Sequence, residues 1–258
     1  MDTIKVAVQK SGRLNEDSLK ILKDCGVSID NGRDQLRASA RNFPMEVFYL
    51  RNGDIPQYLQ DGVVDIAILG ENVLIEKGAG ISVVEKLGFS KCRVSIAVPK
   101  NVEYHSLSDL EGKRIATSYP NTVLQYLKEK GVQADLHIIN GSVEIAPNIG
   151  LADAVCDIVS SGSTLFKNNL KEVEILLRSE AVLAVSPKAG PKQLKILEQL
   201  RFRLRSVLEA RNNRYVLMNA PNDRLEAIIA LLPGMRSPTV LPLAERNWSS
   251  IHTVINKD

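Results

Sequence analysis

Residues 156–165 read CDIVSSGSTL: an acid in an aliphatic run that breaks into Ser160, Ser161, Gly162, Ser163 and Thr164 before Leu165. A buried strand that ends in small residues around a glycine exposes backbone N–H groups, and such a turn at a helix start suits an anion. Small side chains let phosphate oxygens approach, and the hydroxyls add donors. Taken alone, the stretch fits an ordinary Ser/Thr-rich helix cap equally well. It is not a Walker loop, because G-x-x-x-x-G-K is absent. Asp157 and Asp153 lie just upstream, where carboxylates suit ribose hydroxyls or, through water, Mg²⁺.

Other turns offer matching chemistry. QKSGRL (9–14) sets Lys10 and Arg13 around Ser11 and Gly12, a point charge and a fork suited to a polyphosphate; alone it reads as a solvated turn. LGENVL (69–74) brings Glu71 and Asn72, suited to ribose or base edges, or to a capping turn with Asn72 as the cap. YLRNGDIP (49–56) places Arg51 and Asp54 after a strand. IATSYP (115–120) places Thr117, Ser118 and Tyr119 likewise, Tyr119 being able to stack on a base. NGSVEIAP (140–147) adds Ser142 and Glu144. Each is a weak signal, and their shared position at strand-to-loop ends is what unites them.

The elements that must position these turns alternate along the chain. Residues 4–8, 27–29, 46–50 and 64–69 read as strands, with helices after the first and at 55–62. This βαβ order predicts a mostly parallel sheet. The plan then repeats: KRIATSYPNTVLQYLKEKGV (113–132) follows KVAVQKSGRLNEDSLKILKDCGV (5–27), and AVCDIVSSG (154–162) follows GVVDIAILG (62–70), pairing Asp157 with Asp65 and Gly162 with Gly70. Two similar α/β lobes with a ligand cleft outside the carboxyl ends of their strands are expected. The boundaries read as 1–95 with 180–213 for the first lobe and 96–179 for the second. A strand at 179–188 leads into a long amphipathic helix at 193–213, with Leu194, Leu197, Leu200, Leu204 and Leu208 on one face. Residues 214–258 read as strand, helix, strand, strand, the opening of a small ferredoxin-like (α+β) module that needs a further helix and strand. Pro233 and Gly234 read as the stop of its helix.

Bulk properties narrow the classes. The 258 residues suggest about two domains, and 44% apolar content fits a globular chain. With 33 basic and 30 acidic residues, net charge is +3, which gives no reason to expect a nucleic-acid partner. Cys25, Cys92 and Cys156 are far apart, as are His105, His137 and His252; buried free thiols are expected, and a zinc cluster is not. No signal-peptide core or membrane-spanning run is read, so a cytoplasmic protein is the expectation.

The motifs QKSGRL, NGDIP, DGVVDIAILGENVL, KRIATSYP, NGSVEIAP, GLADAVCDIVSSGSTL and LPGMRSPTVLPLA, in this order, closely resemble those of the ATP phosphoribosyltransferases. The resemblance runs from about residue 4 to the end, and its third module resembles the regulatory domain of the long form. It implies periplasmic-binding-protein-like lobes and a first step of histidine biosynthesis. N1 of ATP attacks C1 of phosphoribosyl pyrophosphate with inversion, and Mg²⁺ accompanies the pyrophosphate. It further implies inhibition by histidine and homo-oligomers, dimeric and hexameric. On that basis Ser160, Ser161, Gly162, Ser163, Thr164 and Leu165 cradle the 5-phosphate, and Asp157, Asp153 and Glu144 are catalytic. Lys10, Gly12, Arg13, Arg51, Glu71, Thr117, Ser118 and Tyr119 serve ATP. The competing class is a two-lobe sensing domain that binds a small molecule and catalyses nothing. A different phosphoribosyltransferase would carry adjacent acids before the loop, whereas Asp153 and Asp157 are separated.

Overall fold

The computed structural model describes residues 2–30, 36–78, 80–232, 234 and 237–257. It divides into two compact units, 1–198 and 199–258, and the division falls ahead of residue 214.

The first unit opens with β1 (Ile4–Gln9), α1 (Arg13–Asp24), β2 (Arg37–Ser39), β3 (Met45–Leu50), α2 (Ile55–Asp61), β4 (Ile66–Gly70), α3 (Glu71–Lys77) and β5 (Ser82–Lys86). It continues through β6 (Cys92–Pro99), β7 (Arg114–Thr117), α4 (Pro120–Lys130), β8 (Asp135–Ile138), β9 (Ala154–Val159), α5 (Ser163–Lys167) and β10 (Leu170–Ser179). It returns as β11 (Ala181–Val185), and the helix that follows, α6 (Pro191–Asn212), spans the division at 198/199. The chain makes a six-stranded sheet, β2-β3-β1-β4-β11-β5, and a five-stranded sheet, β10-β6-β9-β7-β8. These are the two lobes.

Both sheets share one plan. In each, three parallel strands (β3-β1-β4 and β8-β7-β9) are continued by two antiparallel ones (β11-β5 and β6-β10). The expected mostly parallel sheet is thus confined to the three strands joined through loops and helices long enough for a crossover. Only Glu180 separates β10, at the edge of the second sheet, from β11, inside the first, so the chain passes directly from one lobe back to the other. The expected strand at 27–29 is a single bridge, Ile29 to Ala40, because Gly26 takes a left-handed turn (φ 75) directly after α1.

The central strands are buried on both faces, so they read as unbroken aliphatic runs. Ile66, Ala67, Ile68 and Leu69 are all fully buried, as are Val6, Ala7 and Val8 in the neighbouring β1. Each large aliphatic side chain so buried contributes about 1.5–3 kcal/mol. Cys25 and Cys156 are buried free thiols, and Cys92 is half-buried; burial pushes the Cys156 thiol up.

The repeat recognised in the sequence joins equivalent elements, but its register is slipped. Asp65 stands at the start of β4, where its backbone N–H bonds Lys5 O (2.9 Å) and its carboxylate accepts the Lys5 N–H (2.7 Å). The residue with the same pair of bonds in the other lobe is Asp153, to Arg114 (2.8 and 2.9 Å). Asp157 lies further along, near the end of β9.

The second unit contains β12 (Asn213–Pro221), α7 (Leu225–Leu231), β13 (Thr239–Pro242) and β14 (Trp248–Asn256), with the sheet ordered β12-β14-β13 and antiparallel throughout. This is the expected strand, helix, strand, strand series. Pro233 lies outside the described residues. Of the expected α6 face, Leu197, Leu200 and Leu204 are buried, Leu208 is half-buried and Leu194 is exposed. No helix among the described residues is long and apolar enough to cross a membrane.

Candidate active site

The parallel strands of each lobe deliver their loops to one edge. In the first lobe, β1 leads to Lys10, Gly12 and Arg13, β3 to Arg51, and β4 to Glu71. In the second, β7 leads to Ser118 and Tyr119, β8 to the turn bearing Glu144, and β9 to Ser160–Leu165. The two edges meet where the Asn72 amide, at the start of α3, donates to the Tyr119 hydroxyl (2.7 Å).

The 160–165 loop is built as its composition suggests. Gly162 adopts φ 77 and ψ 0, a left-handed conformation, and starts the short α5. The Ser161 and Ser163 hydroxyls are 3.0 Å apart. The loop, Asp157, Glu144 and Ser95 line one cavity of about 190 Å³. Larger hollows of about 680 and 640 Å³ lie along α1 and the 39–46 turn, and they hold none of the residues singled out above.

Asp157 sits under this loop. Its Oδ1 accepts from Ser118 Oγ and from the Ile158 N–H, both at 2.8 Å. Burial raises its pKa, an effect larger than the lowering by these hydrogen bonds, and the Glu144 charge raises it further. Because the folded pKa lies above the unfolded one, the folded state holds the proton more tightly, and stability falls as pH rises between the two values. Asp157→Asn is therefore expected to melt higher than the parent near pH 7, with the gap closing below about pH 4. Thermal melts at both values test this, and an equal difference at both would refute it.

Glu144 belongs to a short helical turn begun by Ser142, which holds a left-handed φ of 50. Tyr119 is half-buried, and desolvation together with the Asp157 charge pushes its phenol up.

Several expected site residues are placed elsewhere or otherwise engaged. Asp153 is at the opposite end of β9, where the Arg114 guanidinium grips its carboxylate (3.0 and 3.2 Å) and holds its pKa below the usual range. It pins the start of β7, as Asp65 pins β1. Thr117 is fully buried, and its hydroxyl accepts the Tyr119 N–H at 2.9 Å; it shapes the turn rather than facing a ligand. Asn72 is neither a cap nor exposed. It is 2% exposed, and its side chain bridges Tyr119 and the Ser179 hydroxyl (2.9 Å). Glu71 pairs with Lys86 at 3.3 Å beside a separate cavity of about 240 Å³. Lys10, Arg13 and Arg51 are exposed at their strand ends, and Arg13 lies 3.8 Å from Asp17.

Two groups were not singled out in the sequence. Glu76 of α3, 5% exposed, accepts the Asn121 and Thr122 N–H groups of α4 across the lobes (both 2.9 Å) and the Thr122 hydroxyl (2.7 Å). Arg93 of β6 donates to Glu172 and to the Ser160 carbonyl. The signal for the first was present: α4 begins at Pro120 with Tyr119 before it, so the helix start lacks a capping side chain of its own.

Known proteins place this architecture. The family model for ATP phosphoribosyltransferase matches residues 51–206, and that for the HisG C-terminal domain matches 210–258. An ATP phosphoribosyltransferase of Cytophaga hutchinsonii is 52% identical over 254 residues, covering 98% of this chain and 89% of that one. A solved ATP phosphoribosyl transferase (HisG:HisZ) complex from Thermotoga maritima is 30% identical with a TM-score of 0.70, covering 81% of this chain and 98% of that one. The alkanesulfonate-binding protein SsuA from Xanthomonas axonopodis pv. citri shares the fold alone, at 17% identity and a TM-score of 0.53 over 80% of this chain and 73% of that one.

Proposed function

Because this chain belongs to the ATP phosphoribosyltransferase family, we propose a division of labour among the residues of its two lobes. The enzyme is a pentosyltransferase. It moves the phosphoribosyl group of phosphoribosyl pyrophosphate to N1 of ATP, releasing pyrophosphate and giving phosphoribosyl-ATP, the first step of histidine biosynthesis. The non-catalytic sensing alternative is not favoured, because its two-lobe neighbours match in fold only.

The observation that carries the residue assignment is the cavity shared by the 160–165 loop, Asp157 and Glu144. Ser160–Leu165 take the 5-phosphate with backbone and hydroxyl donors. Asp157 faces the ribose, where a carboxylate stabilises positive charge developing at C1 as pyrophosphate departs with inversion. Catalysis by positioning and electrostatics needs no covalent serine. Lys10, Gly12 and Arg13 receive phosphates at the first-lobe edge, while Arg51, Ser118 and Tyr119 orient ATP. Glu71, held by Lys86, acts at the margin of that group.

The Glu144 charge bears on Asp157 across the cavity, and these two carboxylates would face a Mg²⁺ that accompanied the pyrophosphate. When bound, the ion neutralises charge on the leaving group. The unit 199–258 is proposed to bind histidine as a feedback inhibitor, in a cytoplasmic homo-oligomer.

The test is phosphoribosyl-ATP formation, followed by ultraviolet absorbance, with ATP, phosphoribosyl pyrophosphate and Mg²⁺. Turnover should require both substrates, stop on chelation of the metal and fall as histidine is added. Binding of ATP without turnover would overturn the catalytic reading. Turnover indifferent to histidine would overturn the regulatory one.

A further inference from the structure

We infer that Arg93 is a positioning residue for the phosphate loop, held in place by Glu172, and that it sets affinity for the phosphorylated ribose substrate. This rests on the reading of Ser160–Leu165 as the phosphate cradle.

Arg93 is the second residue of β6, beside the end of β9, and the sheet register faces it with Val159. Each of its three guanidinium nitrogens has a partner. Nε donates to Glu172 Oε1 at 2.5 Å and one terminal nitrogen donates to Oε2 at 2.6 Å, a two-pronged grip. The other terminal nitrogen donates to the Ser160 carbonyl at 3.2 Å. Glu172 faces Ala97, several residues along β6 from Arg93, so the two long side chains reach towards each other along the strand. The small Ser95 lies between these positions, and the partner facing Glu172, Ala97, is small too. The pairing holds the Glu172 carboxyl below its usual range and raises the Arg93 pKa, so both partners stay charged.

The consequence follows from peptide geometry. In a planar trans peptide the C=O and the next N–H point in opposite directions. Gripping the Ser160 carbonyl from the Arg93 side therefore turns the Ser161 N–H away from Arg93. Ser161 precedes the left-handed Gly162, so one bond fixes the entry into a loop whose donors must converge on one anion. Lysine cannot reproduce this, because a single ammonium cannot span a carboxylate fork and a carbonyl together.

Steady-state kinetics of four variants test the inference. Arg93→Gln should raise KM for phosphoribosyl pyrophosphate about tenfold and change KM for ATP less than about twofold. Arg93→Lys should not rescue it. Glu172→Gln should shift the same constant in the same direction by less, and Arg93→Gln/Glu172→Gln should be no worse than Arg93→Gln alone, since the residues act as one unit. If Arg93→Gln does not fold, the Glu172→Gln split carries the test. Equal changes in both KM values, or an unchanged value for phosphoribosyl pyrophosphate, would overturn the inference, provided Gly162→Val is impaired. If Gly162→Val keeps normal affinity for phosphoribosyl pyrophosphate, the cradle reading fails and takes this inference with it.

Discussion

Gly162→Val should lower phosphoribosyl-ATP formation by on the order of a hundredfold or more while the protein stays folded. Two effects combine. Gly162 holds φ 77, where a β-branched residue is an outlier and the strain is about 1–2 kcal/mol. Apart from its two chain neighbours, no atom of the described residues lies within 4 Å of the position a Cβ would take, so the new side chain meets no wall there. Gly162 lines the loop cavity, and the added bulk is expected to take space there. The fold therefore tolerates the change and the anion does not. Gly162→Ala gives the graded control: most of the strain with less of the bulk. Circular dichroism reads folding, and the ultraviolet assay reads turnover. Near-parental turnover in Gly162→Val would move the phosphate site elsewhere.

The second large effect is on stability. Glu76→Ala should lower the melting temperature by about 6–12 °C, from a loss of about 3 kcal/mol. Helix α4 begins at Pro120, which lacks an N–H, so Asn121 and Thr122 carry the first donors that need partners. The Glu76 carboxylate supplies both, from the other lobe, at a helix end that favours negative charge. Removing it leaves these donors and the Thr122 hydroxyl without that acceptor, in a place where Thr122 is only 7% exposed. Glu76→Gln keeps an acceptor and should lose about half as much. A melting point within about 2 °C of the parent in Glu76→Ala would show that the contact between lobes contributes nothing.

Much of this architecture was legible in the chain. The strands at 4–8 and 64–69 announce themselves as largely aliphatic runs and that at 46–50 as a β-branched and aromatic one, and the loop at 160–165 as a break in such a run. The repeat was legible in its elements but not in its register. Aliphatic strands match at any even offset, so Asp157 aligned with Asp65 as readily as Asp153 does. Only the hydrogen bonds to Lys5 and Arg114 reveal that Asp153 is the structural twin. Strands β8 and β10 carry Asp135, His137, Glu172, Glu174 and Arg178, so neither reads as a buried run. Arg93 stayed hidden because its partners lie at positions 160 and 172, and no spacing rule brings such residues together. Asn72 was misread for the same reason: its partners are Tyr119 and Ser179.

The placement of β11 has a consequence for how the chain is made. All five strands of the second sheet lie between residues 92 and 179, an unbroken segment. The first sheet needs β11 inserted between β4 and β5, and β11 is synthesised only after the second sheet is finished. On a ribosome the order of completion is therefore the reverse of the order of emergence. The half that leaves the exit tunnel first waits, with the edges of β4 and β5 unpaired, for a strand from beyond its partner.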